Sequence, residues 1–469
     1  MSEGHRTERD SLGAMEVPAD AYWGAQTQRA VENFPISGAT FGRRFIRALG
    51  VVKLAAVRTN VALGLVDAEL GAAIETAAEC VIAGELDDQF VVDIFQTGSG
   101  TSSNMNANEV IANRAAEELG ASRGERVVHP NDHVNYGQSS NDVIPTAMHI
   151  AVREAMWHDV IPALEHLHAV LRARAEEFDP VVKTGRTHLQ DATPITLGQE
   201  FTGYATQLAH GIDRLEAADP RLAELALGGT AVGTGLNTHP EFPKRTATAI
   251  TAITDLEFTS AESHFEAMAA HDAMAEVHGA LRTVAGSMHK IANDLRLLAS
   301  GPRNGMGEID QPENQPGSSI MPGKINPVVA EAVNQVHAAI IGNDVTVATG
   351  AAGGQLELNL YKPIIAHRTL ESCRLLGQSA EVFADRFIAR LAADTEQIAA
   401  QVEQSMALAT ALNPTIGYDA AAAVAKEATA TGKSIREVAI DQGHLTPEQA
   451  DAVLDPRRMT ERGILGDDA

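Results

Sequence analysis

The chain has 469 residues, of which 44% are hydrophobic and 21% charged, a composition typical of soluble globular proteins with ample core-forming material. Its 36 basic and 62 acidic residues give a formal net charge of −26. This charge argues against nucleic acid or an anionic membrane as the main partner, because phosphate binding needs a basic surface. A small anionic substrate is still compatible, since it needs only a locally positive pocket.

The cysteine count limits the redox chemistry and the compartment. Only Cys80 and Cys373 occur, far apart in the chain, which excludes a disulfide framework and an iron–sulfur cluster held by several cysteines of one chain. A reducing compartment fits best, so we predict a cytoplasmic protein. The N-terminal stretch lacks an apolar targeting segment, and no run approaches the ~18 apolar residues of a membrane helix.

Long helices dominate the middle of the chain, after a mixed N-terminal region. The helix predicted around residues 271–300 carries an apolar seam in alternating steps of four and three residues, which is typical of helices packed in a bundle. This seam comprises Val277, Leu281, Val284, Met288, Ile291, Leu295 and Leu298. After Asn326-Pro327, similar spacing relates Val329, Val333, Val336 and Ile340. Strand-like runs are short and scattered.

The helix pattern predicts a mainly α fold, with a long-helix bundle as its central domain. Five long helices are expected between about residues 141 and 393, one of them kinked at Pro162. The expected domains are 1–140, a mixed N-terminal domain; 141–393, the helical bundle; and 394–469, a small helical domain. In this last domain two short amphipathic helices are predicted, the second starting at Thr446-Pro447.

Four segments place a cluster of Gly, Ser, Thr or Asn ahead of a predicted helix. In the third of these segments, Thr193 is expected to cap the helix and Pro194 to lie in its first turn. In the fourth, Asn326 is expected to be the cap and Pro327 the first helical residue. A helix start presents unpaired N–H groups and a partial positive charge, which suit a carboxylate or phosphate. The clusters contain Ser99, Gly100, Thr101, Ser102 and Ser103; Ser139, Ser140 and Asn141; Arg186, Thr187 and His188; and Ser318, Ser319, Lys324 and Asn326.

One such cluster taken alone is most often an ordinary helix cap. Four in one chain, two of them with His188 or Lys324, favour a composite anion-binding site. The segment 301–321 is rich in Gly, Pro and Asn without apolar periodicity, which is typical of a functional lid or of disorder. Lys324 at the end of this segment points to catalysis.

Several blocks in the sequence resemble the fumarase/aspartase superfamily and, within it, class II (iron-independent) fumarate hydratases. The superfamily signature is similar to "GSSIMPGKINP", and "FQTGSGTSSNMNANEV", "HPNDHVNYGQSSNDVIPTAMHIA", "GRTHLQDATPITLGQE" and "NPTIGYD" follow the family's order. The resemblance covers about residues 10–459. Aspartase-like sequences carry Gln, Thr and Ala where this chain has His188, Ser140 and Gly323, so these positions favour fumarase.

The resemblance implies reversible hydration of fumarate to L-malate without a cofactor or metal. It implies that Ser318 takes the C3 proton, that His188 handles the water and the departing hydroxyl, and that Glu331 orients His188. A second anion site is implied at His129, Asn131 and Asp132, although a plain turn explains that stretch equally well. The residues implied to bind substrate are Ser99, Thr101, Ser139, Ser140, Asn141, Thr187, Ser319, Lys324 and Asn326.

The same resemblance implies a homotetramer in which each active site draws the Thr101, His188 and Ser318 regions from three chains. The alternatives are an aspartase-type ammonia-lyase, disfavoured by His188 and Ser140, and a non-catalytic structural homologue, disfavoured by the intact Ser318, His188, Lys324 and Asn326. Other histidine clusters lack a recognised metal-ligand spacing. They are His158, His166 and His168, and His264 and His271 with Glu266.

Overall fold

The computed structural model describes residues 4–463, and α-helices make up most of them. This confirms the predicted mainly helical fold. The helices in the first 155 residues are α1 (Ala25–Asn33), α2 (Arg43–Ala62), α3 (Ala68–Ala83), α4 (Thr101–Glu118) and α5 (Ser140–Ala155). Across the described range, no helix is both long and apolar enough to cross a membrane.

The central part of the chain contains the longest helices. Of the five predicted long helices, all are present, and α7, α10, α11 and α12 each have between 24 and 27 residues. The helices here are α6 (Ile161–Glu177), α7 (Leu197–Leu222), α8 (Phe242–Thr254), α9 (His264–Ala269), α10 (Asp272–Leu298), α11 (Val328–Ala351) and α12 (Lys362–Arg386).

The β-structure in the described residues consists of two-stranded pairs. The first two pairs are antiparallel hairpins, and the third, β5 with β6, is parallel. The strands are β1 (His5–Asp10), β2 (Gly13–Pro18), β3 (Val182–Thr187), β4 (Gln190–Thr196), β5 (Glu224–Leu225), β6 (Thr259–Ser260), β7 (Ile309–Asp310) and β8 (Ala392–Ala393). The expectation of short, scattered strands is confirmed.

The chain forms two compact units. Unit one comprises the residues up to Pro162 together with Ile212–Ala285 and Ala338–Gly377, and unit two comprises Ala163–Gly211, Gly286–His337 and the residues from Gln378 onward. The boundaries expected from the sequence near residues 140 and 393 stay a prediction.

The predicted apolar seam of α10 is buried along its whole length, with Leu298 at 5% the most exposed of its members. The seam predicted for α11 is only partly right. Val333 and Ile340 are buried, but Ala330 and Val347 take the other buried positions, while Val329 and Val336 are half-buried.

The helix around Pro162 contains a change of helix type just before the proline, and the predicted kink itself stays a prediction. A π-helical segment, Met156–Val160, separates α5 from α6, and Pro162 is the second residue of α6. Proline has no N–H to donate within a helix, and its ring crowds the preceding turn. A π-bulge accommodates this interruption without ending the helical path.

The C-terminal part of unit two has its own small core, built on residues between Leu408 and Leu454. Its helices are α13 (Thr395–Gln404), α14 (Asn413–Ile416), α15 (Tyr418–Thr431), α16 (Ile435–Asp441) and α17 (Pro447–Val453). Thr446 caps α17 in a capping box with Gln449, and Pro447 is the first helical residue. The two short helices predicted here are therefore confirmed.

Candidate active site

The first hydroxyl cluster lies where α4 begins, in unit one. Gly100 has φ 78°, a left-handed conformation that glycine adopts without a steric penalty. Gly98 is also required, because a Cβ there would clash with the carbonyl oxygen of Leu360. This backbone path presents Ser99 and Thr101 side by side, with 2.8 Å between their hydroxyl oxygens.

The second cluster lies at the start of α5. The Ser139 hydroxyl accepts from the N–H of Asn141 at 3.2 Å, and Asp142 returns the interaction by accepting from the N–H of Ser139 at 2.9 Å. The Asp142 carboxylate also accepts from the N–H groups of Gly228 and Thr230. Burial raises the pKa of Asp142 to about 6, although these N–H donors and the Lys53 ammonium oppose the shift.

The two clusters meet in unit one. Thr101 Oγ1 lies 2.6 Å from the hydroxyl oxygen of Ser140, which joins the start of α4 to the start of α5. Asn141 Nδ2 donates to the carbonyl oxygen of Ala231 at 2.8 Å, and this fixes its side chain. Hydroxyl and amide groups at two adjoining helix starts form a surface suited to a carboxylate.

The His129 segment forms a turn in unit one. The His129 Nδ1 accepts from the N–H groups of Asn131 and Asp132, at 3.2 and 3.1 Å, and so caps a short π-helical turn, Pro130–Val134. Asn131 and Asp132 are exposed. The turn alone accounts for the geometry, and a second anion site here stays a prediction.

His188 lies on a hairpin turn in unit two and not at a helix start. Thr187 pairs with Gln190, and the two residues between them, His188 and Leu189, have φ 56° and 60°. Left-handed conformations at both central positions define the tight turn that matches the twist of a hairpin. Non-glycine residues carry strain in this region, which concentrates at functional sites. The imidazole is therefore presented at an exposed tip.

The predicted cap at Thr193-Pro194 is wrong, because both residues belong to β4. Helix α7 begins at Leu197, and Thr196 with Gln199 makes the reciprocal hydrogen bonds of a capping box. The polar cluster of Arg186, Thr187 and His188 thus lies at the end of β3 and in the hairpin turn, and not directly before a helix.

A buried charge network supports the hairpin within unit two. Lys183 and Glu308 are almost fully buried, and the Lys183 ammonium lies 3.1 Å from the Glu308 carboxylate. Arg186, next to Thr187, pairs with the other oxygen of Glu308. Buried charges need such pairing, so the network fixes the strand that leads to His188.

The Ser318 hydroxyl oxygen accepts from two backbone N–H groups, those of Ile320 at 3.2 Å and Met321 at 3.0 Å. Both donors stabilise negative charge on this oxygen and therefore favour loss of its proton. The loop is closed at its base, where the N–H of Gly317 donates to the carbonyl oxygen of Lys324 at 2.8 Å. A Cβ at Gly317 would clash with that oxygen.

Asn326 also closes this loop. Its Nδ2 donates to the Gly317 carbonyl oxygen at 2.7 Å, and α11 begins only at Val328, so the prediction that Asn326 caps this helix is wrong. Lys324 and Asn326 line one cavity of about 490 Å³ in unit two, together with Arg296, Ser300, Asp310 and Gln311. The cations Arg296 and Lys324 share this cavity with the carboxylates of Asp310 and Glu313.

Glu331 is half-buried in the first turn of α11. Within the described part of one chain, no hydrogen bond joins it to His188. Ser319 and Lys324 are exposed, as are Thr187 and His188. Unit one therefore holds one group of predicted residues and unit two the other, and the predicted pairing of Glu331 with His188 stays a prediction.

Three buried charged residues next to the predicted ones were missed by sequence reasoning. The pattern Ser139-x-x-Asp142 is a capping-box signal that could have identified Asp142. Lys53 and Lys362 are single lysines in apolar surroundings and are fully buried. The sequence carries no pattern that distinguishes them from exposed lysines.

Comparison with known proteins places these residues in a family. A lyase family model matches residues 13–342, and a model described as the fumarase C C-terminus matches residues 408–461. The chain is 70% identical to a class II fumarate hydratase of Halobacterium salinarum, with full coverage of both chains. It is 55% identical to a class II fumarate hydratase of Nitrosomonas europaea, covering 97% of this chain and 99% of the relative.

A solved structure agrees with the sequence relatives. The crystal structure of a class II fumarase from Schistosoma mansoni matches with a TM-score of 0.95 and 41% identity, covering 97% of this chain and 99% of that one. The fold and the order of the site segments are therefore shared over nearly the whole length. The chain belongs to the class II fumarate hydratase family.

Proposed function

We propose that the chain catalyses the reversible hydration of fumarate to L-malate, with Ser318 as the base that removes the C3 proton of malate. The observation that carries this role is the Ser318 oxygen, which accepts two backbone N–H bonds from Ile320 and Met321. A free serine hydroxyl is a weak base, and donors aimed at its oxygen are the activation that it needs. The family membership supplies the reaction.

The difficult step is removal of a carbon-bound proton beside a carboxylate, which places additional negative charge on that carboxylate. Donors fixed where charge develops are commonly worth about 3–4 kcal/mol each. Lys324 supplies a cation for this purpose, and Asn326 holds the loop that carries both Lys324 and Ser318. These groups would stabilise the dianionic intermediate.

His188 would give a proton to the hydroxyl that leaves L-malate as water and, in the reverse direction, would take a proton from the water that adds to fumarate, since an imidazole can act as both acid and base. Its place at the tip of a tight turn gives it a defined backbone position and an exposed side chain. Glu331 would orient this imidazole from another chain of the assembly.

The substrate is a small dicarboxylate, so the site must bind two carboxylates in a chain of charge −26. The joined hydroxyls of Ser99, Thr101 and Ser140, with the Asn141 amide, would hold one carboxylate at the starts of α4 and α5. Thr187, Ser319, Lys324 and Asn326 would act on the other side of the substrate. Ser139 contributes mainly as the cap of α5, and we retain His129, Asn131 and Asp132 as a proposed second anion site.

The proposed assembly is a homotetramer with each active site shared among three chains. Support comes from α11, which exposes an apolar stripe at helical spacing in unit one, where Val345 is 63% and Ile341 38% exposed. Ala338, Gly342 and Ala348 are exposed on the same stripe. Such a face on one helix suits packing against other copies of the chain.

The proposed location is the cytoplasm, and the proposed role is the fumarate hydratase step of the tricarboxylic acid cycle. The two free thiols, Cys80 and Cys373, are compatible with a reducing compartment. The proposed activity needs no metal, and this is directly testable.

The test is to follow the ultraviolet absorbance of fumarate with purified protein, L-malate and a chelator, with L-aspartate in parallel. Fumarate from L-malate alone, undiminished by the chelator, is expected. Fumarate from L-aspartate alone would assign the chain to an ammonia-lyase. No product from either substrate, with a folded assembly, would overturn the proposed activity.

A further inference from the structure

We propose that Lys362 is a positioning residue for substrate binding, which fixes the two hydroxyl-bearing helix starts relative to each other and adds positive charge behind them. This inference rests on the proposed function. Lys362 is the first residue of α12 and is fully buried in unit one. Neither the motifs nor the family resemblance had singled it out.

Lys362 bonds both loops of the proposed carboxylate site. Its Nζ donates to the carbonyl oxygen of Asn141 at 2.9 Å. Its backbone N–H donates to the carbonyl oxygen of Gly98 at 3.2 Å. Gly98 directly precedes Ser99, and Asn141 directly follows Ser140, so one residue ties together the backbone on both sides of the hydroxyl pair.

The segment that carries Lys362 is itself held firmly. Asn359 is fully buried and donates to the carbonyl oxygens of Gly350 and Ala351, at 2.9 and 3.2 Å, at the end of α11. The Asn359 side-chain oxygen accepts from the N–H of Tyr361 at 2.8 Å. Such supporting bonds are what a precisely placed site residue requires.

The ammonium of Lys362 is incompletely satisfied. It has three donors, and the Asn141 carbonyl is its only hydrogen-bond acceptor among the described residues. Burial lowers the pKa of Lys362 to about 7, and the attraction of Asp142 opposes the shift. His271, buried and with no partner for either ring nitrogen within the described range, is the other titratable group acting on Lys362.

Two buried lysines, Lys53 and Lys362, face one buried carboxylate here, that of Asp142, so a carboxylate bound at Ser99, Thr101 and Ser140 would add the second negative charge. In a poorly solvated region a charge acts over a longer distance than in water, so a cation behind the helix starts favours a dianion in front of them. Lys362 does not touch the substrate in this account. Its loss should therefore weaken binding of fumarate and of L-malate alike.

The test is steady-state kinetics of the full-length protein with Lys362→Met, in both directions. Methionine has a similar volume and no charge. We expect KM to rise about tenfold or more for both substrates, with a smaller change in kcat, which is the signature of lost uniform binding. Lys362→Arg keeps the charge and should lower KM again relative to Lys362→Met.

Arg153→Met is the matched control. Arg153 is a buried cation on the same helix as Asn141, about 18 Å further along it, and it pairs with Asp219 through two bonds of 2.7 Å. Its loss removes a buried charge from unit one without touching the site, so the KM values should stay within about twofold of the unmodified protein.

A folded Lys362→Met protein with unchanged KM would overturn the inference, as would an equal rise in KM in Arg153→Met. If KM is as high in Lys362→Arg as in Lys362→Met, the claim that the positive charge of Lys362 favours substrate binding is overturned. If Lys362→Met does not fold, Lys362→Gln is measured against the same outcomes. An unmodified protein without hydratase activity would instead be a failure of the proposed function.

Discussion

Ser318 and His188 are placed by two different local structures, and each should be indispensable for turnover. We expect Ser318→Ala and His188→Asn each to lower kcat by about 10³-fold, because one removes the base and the other the proton-transfer group. The oxygen removed from Ser318 is the one that the N–H groups of Ile320 and Met321 hold. The measurement is initial rates with L-malate and with fumarate.

His158→Asn is the control for the histidine change, because His158 is exposed and the proposed mechanism does not use it. It should keep full activity. Size-exclusion chromatography should show the same assembly for all three variants. Near-normal turnover in Ser318→Ala or His188→Asn would remove that residue from the mechanism.

Lys53 gives a residue-scale prediction of pH dependence. Its buried ammonium donates to the side-chain oxygens of Asn104, Asn135 and Gln138 at 2.8 to 3.0 Å. Burial lowers its pKa to about 7, while an unfolded lysine titrates near 10.4. Between these values the unfolded state binds more protons, so the penalty of burying Lys53 is full below pH 7 and shrinks as the pH rises.

The quantity to compare is the free energy of unfolding of the unmodified protein minus that of Lys53→Met. This difference should increase by about 2 kcal/mol from pH 7 to pH 9. Urea titrations at one fixed protein concentration measure this difference. Lys244→Met, at an exposed lysine, is the control and should show a constant difference. A constant difference for Lys53→Met as well would mean that Lys53 keeps its proton throughout this range.

At the scale of elements, the sequence predicted what depends on periodicity and on local capping. The α10 seam, the start of α5 at Ser139 and the α17 cap at Thr446 follow from apolar spacing and from short-range hydrogen bonds. The hairpin that carries His188 was missed, because the cues at Thr193-Pro194 suit a helix start and the strand pairing depends on residues across the turn.

Asn326 illustrates a second reason why a prediction from the sequence was wrong. Its type and its place before Pro327 are typical of a helix cap, yet the helix starts only at Val328, and the Asn326 Nδ2 donates to Gly317, nine residues earlier. The buried lysines Lys53 and Lys362 gave no local signal, since only the folded structure shows that they are enclosed. The polar motifs can be found in the sequence, whereas the buried residues that support them cannot.

Glu308 gives the element-scale prediction, because it holds the hairpin strand through Lys183 and Arg186. Glu308→Gln removes the negative charge that Lys183 and Arg186 share in a poorly solvated place. Lys183 keeps the Glu200 carboxylate at 3.2 Å, so the charge left uncompensated is that of Arg186. We expect a loss of about 3–5 kcal/mol in the free energy of unfolding, which is typical when one partner of a buried ion pair is removed. Urea unfolding at pH 7 measures it.

Asp310→Asn is the matched control for this change. Asp310 is exposed, lies two residues from Glu308, and should alter stability by no more than about 0.5 kcal/mol. If the free energy of unfolding of Glu308→Gln equals that of the unmodified protein, the desolvation penalty of the buried charges is as large as their mutual attraction.

At the scale of the whole molecule, one chain provides every predicted site residue but in two separate groups. The Ser99, Thr101 and Ser140 hydroxyls belong to unit one, and His188 and Ser318 belong to unit two. The exposed apolar stripe of α11, including Val345, offers a surface on which copies of the chain could pack. A shared site would explain why His188 and Glu331 have no mutual bond within one chain.

Hybrid assemblies test this sharing. Ser318→Ala and His188→Asn chains, each inactive alone, are given two different affinity tags, coexpressed, and purified through both tags in turn. If His188 and Ser318 of each site come from different chains, random mixing at equal amounts should restore roughly a quarter of the sites. A chain carrying both substitutions, mixed with unmodified chains, should give a similar fraction. Complete inactivity of the first mixture, with the hybrid assembly verified by mass, would place both residues of each site in one chain.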